Sequence, residues 1–532
     1  MEKRAFIAVI ISLIILLLYQ EWVARHYGAP EPPPLEKEEN IPAPLQKEPP
    51  KFQPPPSAAT VAAAKVKEIR VETDDYVALF TTQGARLRSF KLKHYRASVD
   101  PKSLPFEMVS SAPGVPYPLG VRLEDTKPWD DEGVVYAVRG GDLKLAGDSV
   151  GTLTFQGRTP TGALLTKEFT FHGSGYSIGL EISVENHGSG PLLLLVTAHP
   201  EEHRAGGDAA FEGFLGLIGK TRIREHGADL AKGKEFSGSV SWAGFGYTYF
   251  LFAVLPQGET YEKVEVKQSG PALVMEVTGQ SGAKTERNRY TLFIGPKELD
   301  LLKSMGQGLE QSIDFGYFGF ISIPLLYLLH FSHRFTASYG LDIILLTILI
   351  KLLTAPLTHK SFASMKQMQK LQPQMERIKE KFKDDKEKLN KEIMELYRRN
   401  KVNPLGGCLP MLLQFPIFIG LYNALLTPIE LRHAPFMWIK DLSRPDWESL
   451  PITVGGWTMG IPILTLLMGA SMFVQQWMTP SAGDPNQRRM MYLMPIIFTA
   501  MFINFPSGLV IYWLVNNILS ILQQYLINRW EG

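Results

Sequence analysis

The chain has 532 residues, 45% of them hydrophobic, and its mean hydropathy is −0.03. Its formal net charge of +2 excludes a bulk electrostatic attraction to nucleic acid, and its single cysteine, Cys408, excludes an intramolecular disulfide and a cysteine-based metal cluster. The average hydropathy hides two unlike parts, because residues 61–300 are mixed and polar whereas 315–527 is dominated by apolar runs. The sequence therefore indicates a membrane protein with a large water-facing domain.

The N-terminal segment predicts a membrane anchor followed by a tether. Residues 5–19 form an apolar run behind a charged start, and Tyr19 and Trp22 suit an interfacial aromatic belt. A cleaved signal peptide is the alternative, but no clear small-x-small cleavage site follows. We expect an uncleaved anchor at 1–27. Eleven prolines then predict an extended linker at 28–60.

The next segment, 61–312, is predicted to be a β-sandwich domain. Residues 176–185 alternate strictly, which places one apolar set on a single face of a strand. Similar runs separated by turn residues occur at 76–81, 261–267, 272–277 and 289–294. Many strands with few helical stretches favour a sandwich, which ends at a segment of helical spacing, 295–305.

Five further apolar segments are candidates for spanning helices, which need roughly 20 residues each. With the anchor as the first span (TM1), they make six: TM2 at 338–357, TM3 at 405–427, TM4 at 459–478, TM5 at 490–505 and TM6 at 509–527. The remaining residues of the segment 338–532 form the loops of this helical core.

The distribution of basic residues sets the topology. With six spans, eighteen Lys and Arg residues lie on the inner side and three in the one short outer loop, as the positive-inside rule requires. A seventh span at 315–331 would move the basic loop 358–404 outside. We therefore expect 313–337 to be an amphipathic helix in the outer interface. Both termini would be inside and the β domain outside.

The basic inner loop 358–404 is predicted to be an amphipathic helical hairpin. Its apolar residues recur at three-four spacing, Pro373 breaks the first arm, and 383–387 forms the turn. Thirteen basic against seven acidic residues could bind anionic lipid or ribosomal RNA non-specifically. An ordinary solvated positive-inside loop remains the alternative.

Lys351 is the most informative residue, because it is the only lysine or arginine within the apolar TM2. An ammonium near the centre of a span costs on the order of 2.5–3.5 kcal/mol, so it usually faces water or a partner inside the protein. Thr347, Thr354 and Thr358 share its helix face. On TM6 a second polar stripe contains Tyr512, Asn516, Ser520 and Gln523 or Gln524, with Trp513 and Asn517 beside it.

Two polar stripes on neighbouring helices predict a hydrated groove. Lys351 lies about seven residues, or ~10 Å, from the inner end of its helix, so the groove would open inward and stop part-way across. The alternative is that Lys351 snorkels to the inner headgroups while the other polar residues only bond neighbouring helices. The sequence contains no HExxH motif, no GxSxG motif and no paired intramembrane carboxylates. We therefore predict neither catalysis nor a metal or cofactor.

Three segments strongly resemble the YidC/Oxa family of membrane protein insertases. They are APLT (355–358), KVNPLGGCLPMLLQFPIFIGLYNALL (401–426) and FPSGLVIYWLVNNILSILQQ (505–524). The anchor, tether and outer domain match the YidC form of bacteria with two membranes. The resemblance implies a polytopic α-helical inner-membrane protein with an inserted all-β supersandwich domain in the periplasm. It implies a non-enzymatic insertase and folding chaperone that acts alone or beside the Sec translocon.

The family's groove carries a positive residue, usually arginine, at the position of Lys351. Its threonine one turn earlier matches Thr347, and its aromatic pair matches Tyr512 and Trp513. Lysine keeps the charge but loses the planar fork of arginine. The tail after Arg529 is short, so ribosome contact would rest on the hairpin.

The expected contacts with a nascent membrane protein fall into two sets. The groove set is Lys351, Thr347, Thr354, Gln414, Tyr512, Trp513, Asn516 and Ser520. The hairpin set, for client or ribosome, is Met365, Met368, Met375, Arg377 and Lys379. Methionine suits varied apolar partners, although gap-filling in a helical core explains any single one equally well. Membrane lipids and the Sec translocon are further expected partners.

Two other classes of function remain open at this point. A secondary transporter would also carry a polar intramembrane site, but the sequence shows no internal repeat of the expected kind. The β domain could bind or modify sugars, an idea that rests on fold analogy alone.

Overall fold

The structure, a computed structural model, describes residues 66–530 except 110–111, 125–128, 161, 186–189, 201–209, 231, 259–262, 280–284, 384, 401, 403–408, 455–456 and 480–484. The predicted anchor 1–27 and linker 28–60 lie outside the described residues.

Twenty strands build the first half of the described chain. They are β1 (Glu68–Glu72), β2 (Tyr76–Thr81), β3 (Arg86–Arg96), β4 (Pro105–Glu107), β5 (Gly120–Leu123), β6 (Trp129–Asp130), β7 (Ala137–Arg139), β8 (Leu143–Lys144), β9 (Val150–Arg158), β10 (Leu164–His172), β11 (Ser177–Glu185), β12 (Leu192–Ala198), β13 (Phe211–Ile218), β14 (Thr221–Glu225), β15 (Lys234–Ser237), β16 (Val240–Tyr247), β17 (Phe250–Gln257), β18 (Lys263–Ser269), β19 (Ala272–Thr278) and β20 (Thr285–Pro296).

These strands form three sheets around an apolar core. The largest has nine strands in the order β14-β13-β16-β17-β20-β11-β10-β9-β7. The second has six, β15-β18-β19-β12-β5-β6, and the third has five, β4-β3-β2-β1-β8. Neighbouring strands are antiparallel except for the parallel pair β1 and β8. The prediction of a β-rich domain is confirmed.

The alternating sequence at 176–185 forms β11, whose Ile178, Leu180, Ile182 and Val184 are all buried. The prediction of helical structure from the spacing at 295–305 was only partly right. Residues up to Pro296 continue β20, because they still pair with β17, and the helix is confined to Leu299–Met305.

A buried ion cluster joins all three sheets. Lys167 on β10 places its ammonium 2.5 Å from Asp131, which follows β6, and donates to the carbonyl oxygens of Gly84 and Leu119 at 2.7 and 2.8 Å. Arg86 on β3 donates to the other oxygen of Asp131 at 3.1 Å. Lys167 and Asp131 are fully buried, and burial lowers the pKa of Lys167 while Asp131 opposes that shift. The cluster therefore fixes the relative position of the sheets.

We expect Lys167→Met to destabilise the β domain by about 3–5 kcal/mol, because removal of one partner leaves a buried charge under-compensated. The measurement is chemical denaturation of the purified protein, followed through protease resistance of the β domain. Arg287→Ala is the control, since it removes an exposed side chain 3.8 Å from Glu181 and should change the stability by less than about 0.5 kcal/mol. Equal effects of the two substitutions would contradict a structural role of the cluster.

Nine helices are described after the sheets. They are α1 (Leu299–Met305), α2 (Gly319–Thr336), α3 (Tyr339–Lys370), α4 (Gln372–Lys381), α5 (Lys386–Arg399), α6 (Leu409–Leu426), α7 (Ile463–Met478), α8 (Pro485–Phe502) and α9 (Ser507–Trp530). Short 3₁₀ turns cover Gly227–Leu230, Leu309–Ser312, Ile429–Leu431 and Asp446–Ser449, and a small hairpin pairs β21 (Pro451–Val454) with β22 (Trp457–Gly460).

Two of these helices are long and apolar enough to cross a membrane, Tyr339–Lys370 and the segment Ser507–Arg529 of α9. Three shorter apolar segments, Gln414–Leu426, Ile463–Met478 and Met491–Phe502, lie in α6, α7 and α8. The count of six spans stays a prediction, since TM1 falls on residues that are not described. Helix α2 falls within the predicted interfacial segment 313–337, and its place at the membrane surface also stays a prediction.

The predicted helical hairpin is present, but it begins differently. Helix α3 continues without a break through position 358 to Lys370, and the chain bends at Leu371. Pro373 lies in the first turn of α4, where its missing N–H removes no helical hydrogen bond. At the start of α5, the side chain of Asp385 accepts a bond from the backbone of Lys388 at 3.1 Å. The first arm is therefore α4 with the C-terminal end of α3, and the second is α5.

Candidate functional site

Helix α9 carries polar side chains that contact several of the other helices. It packs along α3 on one side and α7 on another, whereas α6 packs mainly on α2 and meets α3 and α9 over a shorter stretch. The polar residues of α9 can therefore reach three neighbouring helices.

Lys351 is half-buried, and its ammonium donates to the hydroxyl of Ser520 on α9 at 2.6 Å. Ser520 is itself buried and donates to the carbonyl oxygen of Asn516 at 2.7 Å. No carboxylate in the described part of the chain pairs with this ammonium. The two predicted stripes therefore meet at a cation whose partner is neutral.

The threonines on the same face of α3 return their hydroxyls to their own helix. Thr347 is buried and donates to the carbonyl oxygen of Ile343 at 2.6 Å. Thr354 donates to Ile350 at 2.9 Å, and Thr358 donates to Thr354 at the same distance. These bonds satisfy the hydroxyl protons inside the helix. The threonine oxygens are left as acceptors beside Lys351.

Amide side chains on α9 form hydrogen bonds with two neighbouring helices, α3 and α7. Gln523 donates to the carbonyl oxygen of Ala355 on α3 at 3.2 Å. Asn517 donates to Ser471 on α7 at 2.9 Å, and Gln524 donates to the carbonyl oxygen at the end of α7 at 2.6 Å. On the α7 side these amides bond neighbouring helices, as the alternative interpretation of the sequence expected.

Tyr512 and Trp513 connect α9 with α6. Gln414 donates to the hydroxyl of Tyr512 at 2.8 Å, and the tyrosine is buried. The Trp513 ring centre lies 5.0 Å from those of Phe418 and Phe502. Two turns of α9, about 12 Å, separate Tyr512 from Ser520. The structure thus pairs Gln414 with Tyr512 and Lys351 with Ser520 at two levels of one helix.

The predicted contacts of the hairpin have unequal exposure. Arg377 is exposed, whereas Met365, Met368 and Lys379 are half-buried. Met375 is buried, and its sulfur accepts a bond from the Tyr397 hydroxyl at 2.9 Å. Met375 therefore packs within the hairpin.

Sequence reasoning missed an ordered loop, residues 427–450, at the ends of the helices nearest the β domain; we call it the cap loop. The backbone N–H and the hydroxyl of Ser507, at the start of α9, both donate to the carbonyl oxygen of Arg444, at 2.8 and 2.6 Å. Gly508 donates to the carbonyl oxygen of Leu442 at 2.9 Å. At the start of α3, Phe436 packs on Gly340 so closely that a Cβ there would lie 2.1 Å from its ring.

Asp446 attaches α7 to the same loop. It is fully buried, and its carboxylate accepts the backbone N–H of Leu464 at 2.7 Å and the Thr465 hydroxyl at 2.8 Å. A carboxylate at a helix N-terminus satisfies free N–H groups and is favoured by the helix dipole. The cap loop thereby fixes one end each of α3, α7 and α9.

The fold and the site define a polytopic membrane protein with a large β-rich domain and a half-buried cation between its helices. The 60Kd inner membrane protein family matches residues 331–531, and the YidC periplasmic domain matches 68–328. With the relatives below, these matches show that the chain belongs to the YidC family of membrane protein insertases. It is an inner-membrane insertase with a periplasmic β-rich domain, and this assignment replaces the transporter alternative.

The similarity to curated relatives runs over the whole length. A membrane protein insertase YidC from Pelobacter propionicus is 40% identical over 99% of both chains. One from Syntrophus aciditrophicus is also 40% identical, over 99% of this chain and all of the relative. A solved structure of an active YidC insertase with its first transmembrane domain resolved covers 87% of this chain at 19% identity, with a TM-score of 0.39.

We expect Tyr512→Phe to lower the stability of the helical region by about 1 kcal/mol, because the Gln414 amide loses its acceptor. The measurement is the thermal unfolding midpoint of the purified protein in nanodiscs. The control is Tyr525→Phe on the same helix, whose side chain is exposed and which should leave the midpoint unchanged. If Gln414→Ala and Tyr512→Phe lowered the midpoint additively in the double variant, the bond would not connect α6 with α9.

Proposed function

We propose that the chain inserts its clients through a groove beside Lys351 that is open to the cytoplasm and ends below the cap loop. The observation that carries this proposal is the bond from Lys351 to Ser520. A hydroxyl orients the ammonium without neutralising it, whereas a carboxylate partner would cancel its charge. The positive charge is thus kept for an acidic group on a client.

The helix faces around Lys351 favour hydration from the cytoplasmic side. From Lys351 toward the hairpin, α3 presents Thr354 and Thr358, and α9 presents Gln523 beside Ala355. Water that follows these groups would solvate the ammonium and reduce its cost within an apolar helix. The threonine oxygens would accept bonds from such water.

The cap loop supports our proposal that the groove is closed at its periplasmic end. The starts of α7 and α9 are bonded to it, and Leu431 and Leu442 are fully buried. A groove that stops part-way shortens the low-dielectric path that a polar segment of a client must cross. The groove therefore lowers the barrier without forming a pore.

In this mechanism a short hydrophilic segment of the client enters the groove, attracted by Lys351 and solvated by Asn516. Thr347 and Tyr512 would line its deeper end. The apolar segment of the client then moves along α6 and α8, the proposed TM3 and TM5, into lipid. Transfer of apolar surface from water into lipid supplies the free energy. Neither a nucleotide nor a metal is needed for these steps.

The remaining parts of the proposal concern topology and partners. We place both termini in the cytoplasm and α2 in the periplasmic interface. We retain the domain limits predicted from the sequence, with the helical core at 338–532. The hairpin would contact the ribosome weakly through Arg377 and Lys379, and clients through Met365 and Met368. Cooperation with the Sec translocon and assistance in folding belong to the same proposal.

We expect Lys351→Ala to lower insertion of a client with an acidic translocated segment by about tenfold, which corresponds to about 1.4 kcal/mol of lost attraction. Lys351→Arg should retain insertion, because the positive charge remains. The measurement is protease protection of the client in reconstituted vesicles.

Lys360→Ala is the matched control, since Lys360 is exposed on the same helix outside the proposed groove. A client whose acidic residues are replaced by neutral ones should be less sensitive to Lys351→Ala. Equal insertion of the acidic client by wild type and Lys351→Ala, at matched protein levels, would overturn the proposal.

A further inference from the structure

Arg432 in the cap loop reaches into the β domain. Its guanidinium donates to the carbonyl oxygen of Arg96 at 2.7 Å. The guanidinium carbon lies 5.6 Å from the ring centre of Phe106 and 5.4 Å from that of Phe250. The two rings are stacked 4.2 Å apart, and Arg432 is only 8% exposed. A cap-loop cation is therefore buried among residues of the periplasmic domain.

The three residues of the β domain that contact the Arg432 guanidinium belong to two sheets. Arg96 ends β3 and Phe106 lies on β4, both in the five-stranded sheet, whereas Phe250 begins β17 of the nine-stranded sheet. A planar guanidinium can lie against aromatic rings while its edge donates to a carbonyl oxygen. Lysine, with a compact ammonium, cannot reproduce both contacts.

The two residues that precede Arg432 contact helices α2 and α9. Leu431 packs against Gly508 near the start of α9, where a Cβ would lie 3.1 Å from the leucine. Glu430 lies 2.9 Å from a ring nitrogen of His330 on α2, and this carboxylate raises the pKa of the histidine. Three consecutive residues thus contact α2, α9 and the β domain.

We propose that Arg432 is a positioning residue through which the periplasmic domain holds the cap loop, and with it the ends of α3, α7 and α9. The β domain thereby acts as a rigid support for the insertase helices. This inference concerns the connection between domain and helices and does not depend on the groove beside Lys351.

A second set of contacts connects the β domain with the helical region. Asp314 pairs with Arg222 of β14 at 2.9 Å, and Asn423 of α6 donates to the carbonyl oxygen of Phe315 at 2.9 Å. The end of α6 is therefore connected to the domain independently of Arg432. Loss of Arg432 should loosen the cap loop without releasing α6.

The test is hydrogen exchange of the full-length protein in nanodiscs. The backbone N–H of Leu442 donates to the carbonyl oxygen of Ala434 within the cap loop at 3.0 Å. Arg432→Ala should speed exchange of the amides of Leu442, Ser507 and Gly508 by at least about tenfold, because their hydrogen bonds open with the loop. Arg432→Lys should have a smaller effect. Arg334→Ala, which removes an exposed arginine at the end of α2, should leave these rates unchanged. Unchanged exchange within β10 and β11 would show that the domain is folded.

Phe106→Leu tests the same contact from the β domain, because it removes one of the two rings beside the Arg432 guanidinium. If Arg432 acts through the aromatic pair, the double variant should exchange no faster than Arg432→Ala alone. Unchanged cap-loop exchange in Arg432→Ala, an equal increase in Arg334→Ala, or multiplied effects in the double variant would each overturn the inference. Loss of insertion in Lys351→Ala together with unchanged exchange in Arg432→Ala would refute the inference and leave the proposed function standing.

Discussion

A positive charge inside an apolar helix must be solvated, and the structure meets that requirement with a hydroxyl. Lys351 donates to Ser520, and within the described chain no carboxylate joins them. An internal ion pair would have stabilised the ammonium more and left it with less attraction for other acidic groups. In the mechanism that we propose, this arrangement suits transient contact with a client better than a permanent contact within the protein. It requires that water reach the site.

The two ends of the helical region differ in a way that fits this requirement. Toward the periplasm, the cap loop bonds the starts of α7 and α9 and packs on α3. At the opposite end, α3 extends beyond the apolar region to Lys370 and leads into a charged hairpin. The helical region beside α9 is therefore closed at the cap loop and polar at the hairpin. The β domain reinforces the closed end through Arg432.

Much of this architecture could be predicted because it depends on local periodicity. Alternation predicted the buried face of β11, and three-four spacing predicted the arms of the hairpin. Lys351 and Ser520 were each placed on a polar stripe by helical spacing alone. Their contact could be expected because both stripes need partners within an apolar environment.

Most of the features that escaped prediction depend on contacts distant in sequence. Arg432 is one of the three basic residues that were counted in the outer loop, yet it bonds Arg96 in the β domain. Asp446 caps a helix that begins 17 residues later, at Ile463. Pairing with β17 extended β20 through Pro296, into the segment with helical spacing. The threonine hydroxyls turn back to their own helix, a choice that spacing does not determine.

Cytoplasmic access of water to the space around Lys351 is the central claim, and thiol labelling tests it most directly. In a Cys408→Ser background, single cysteines at Thr354 and Asn516 leave Lys351 intact, and cysteines at Lys360 and Lys440 serve as controls for the two sides. A membrane-impermeant reagent applied from the cytoplasmic side should label positions 354, 516 and 360 but not 440. Labelling of 360 without 354 and 516, or labelling of 516 from the periplasmic side, would contradict the account.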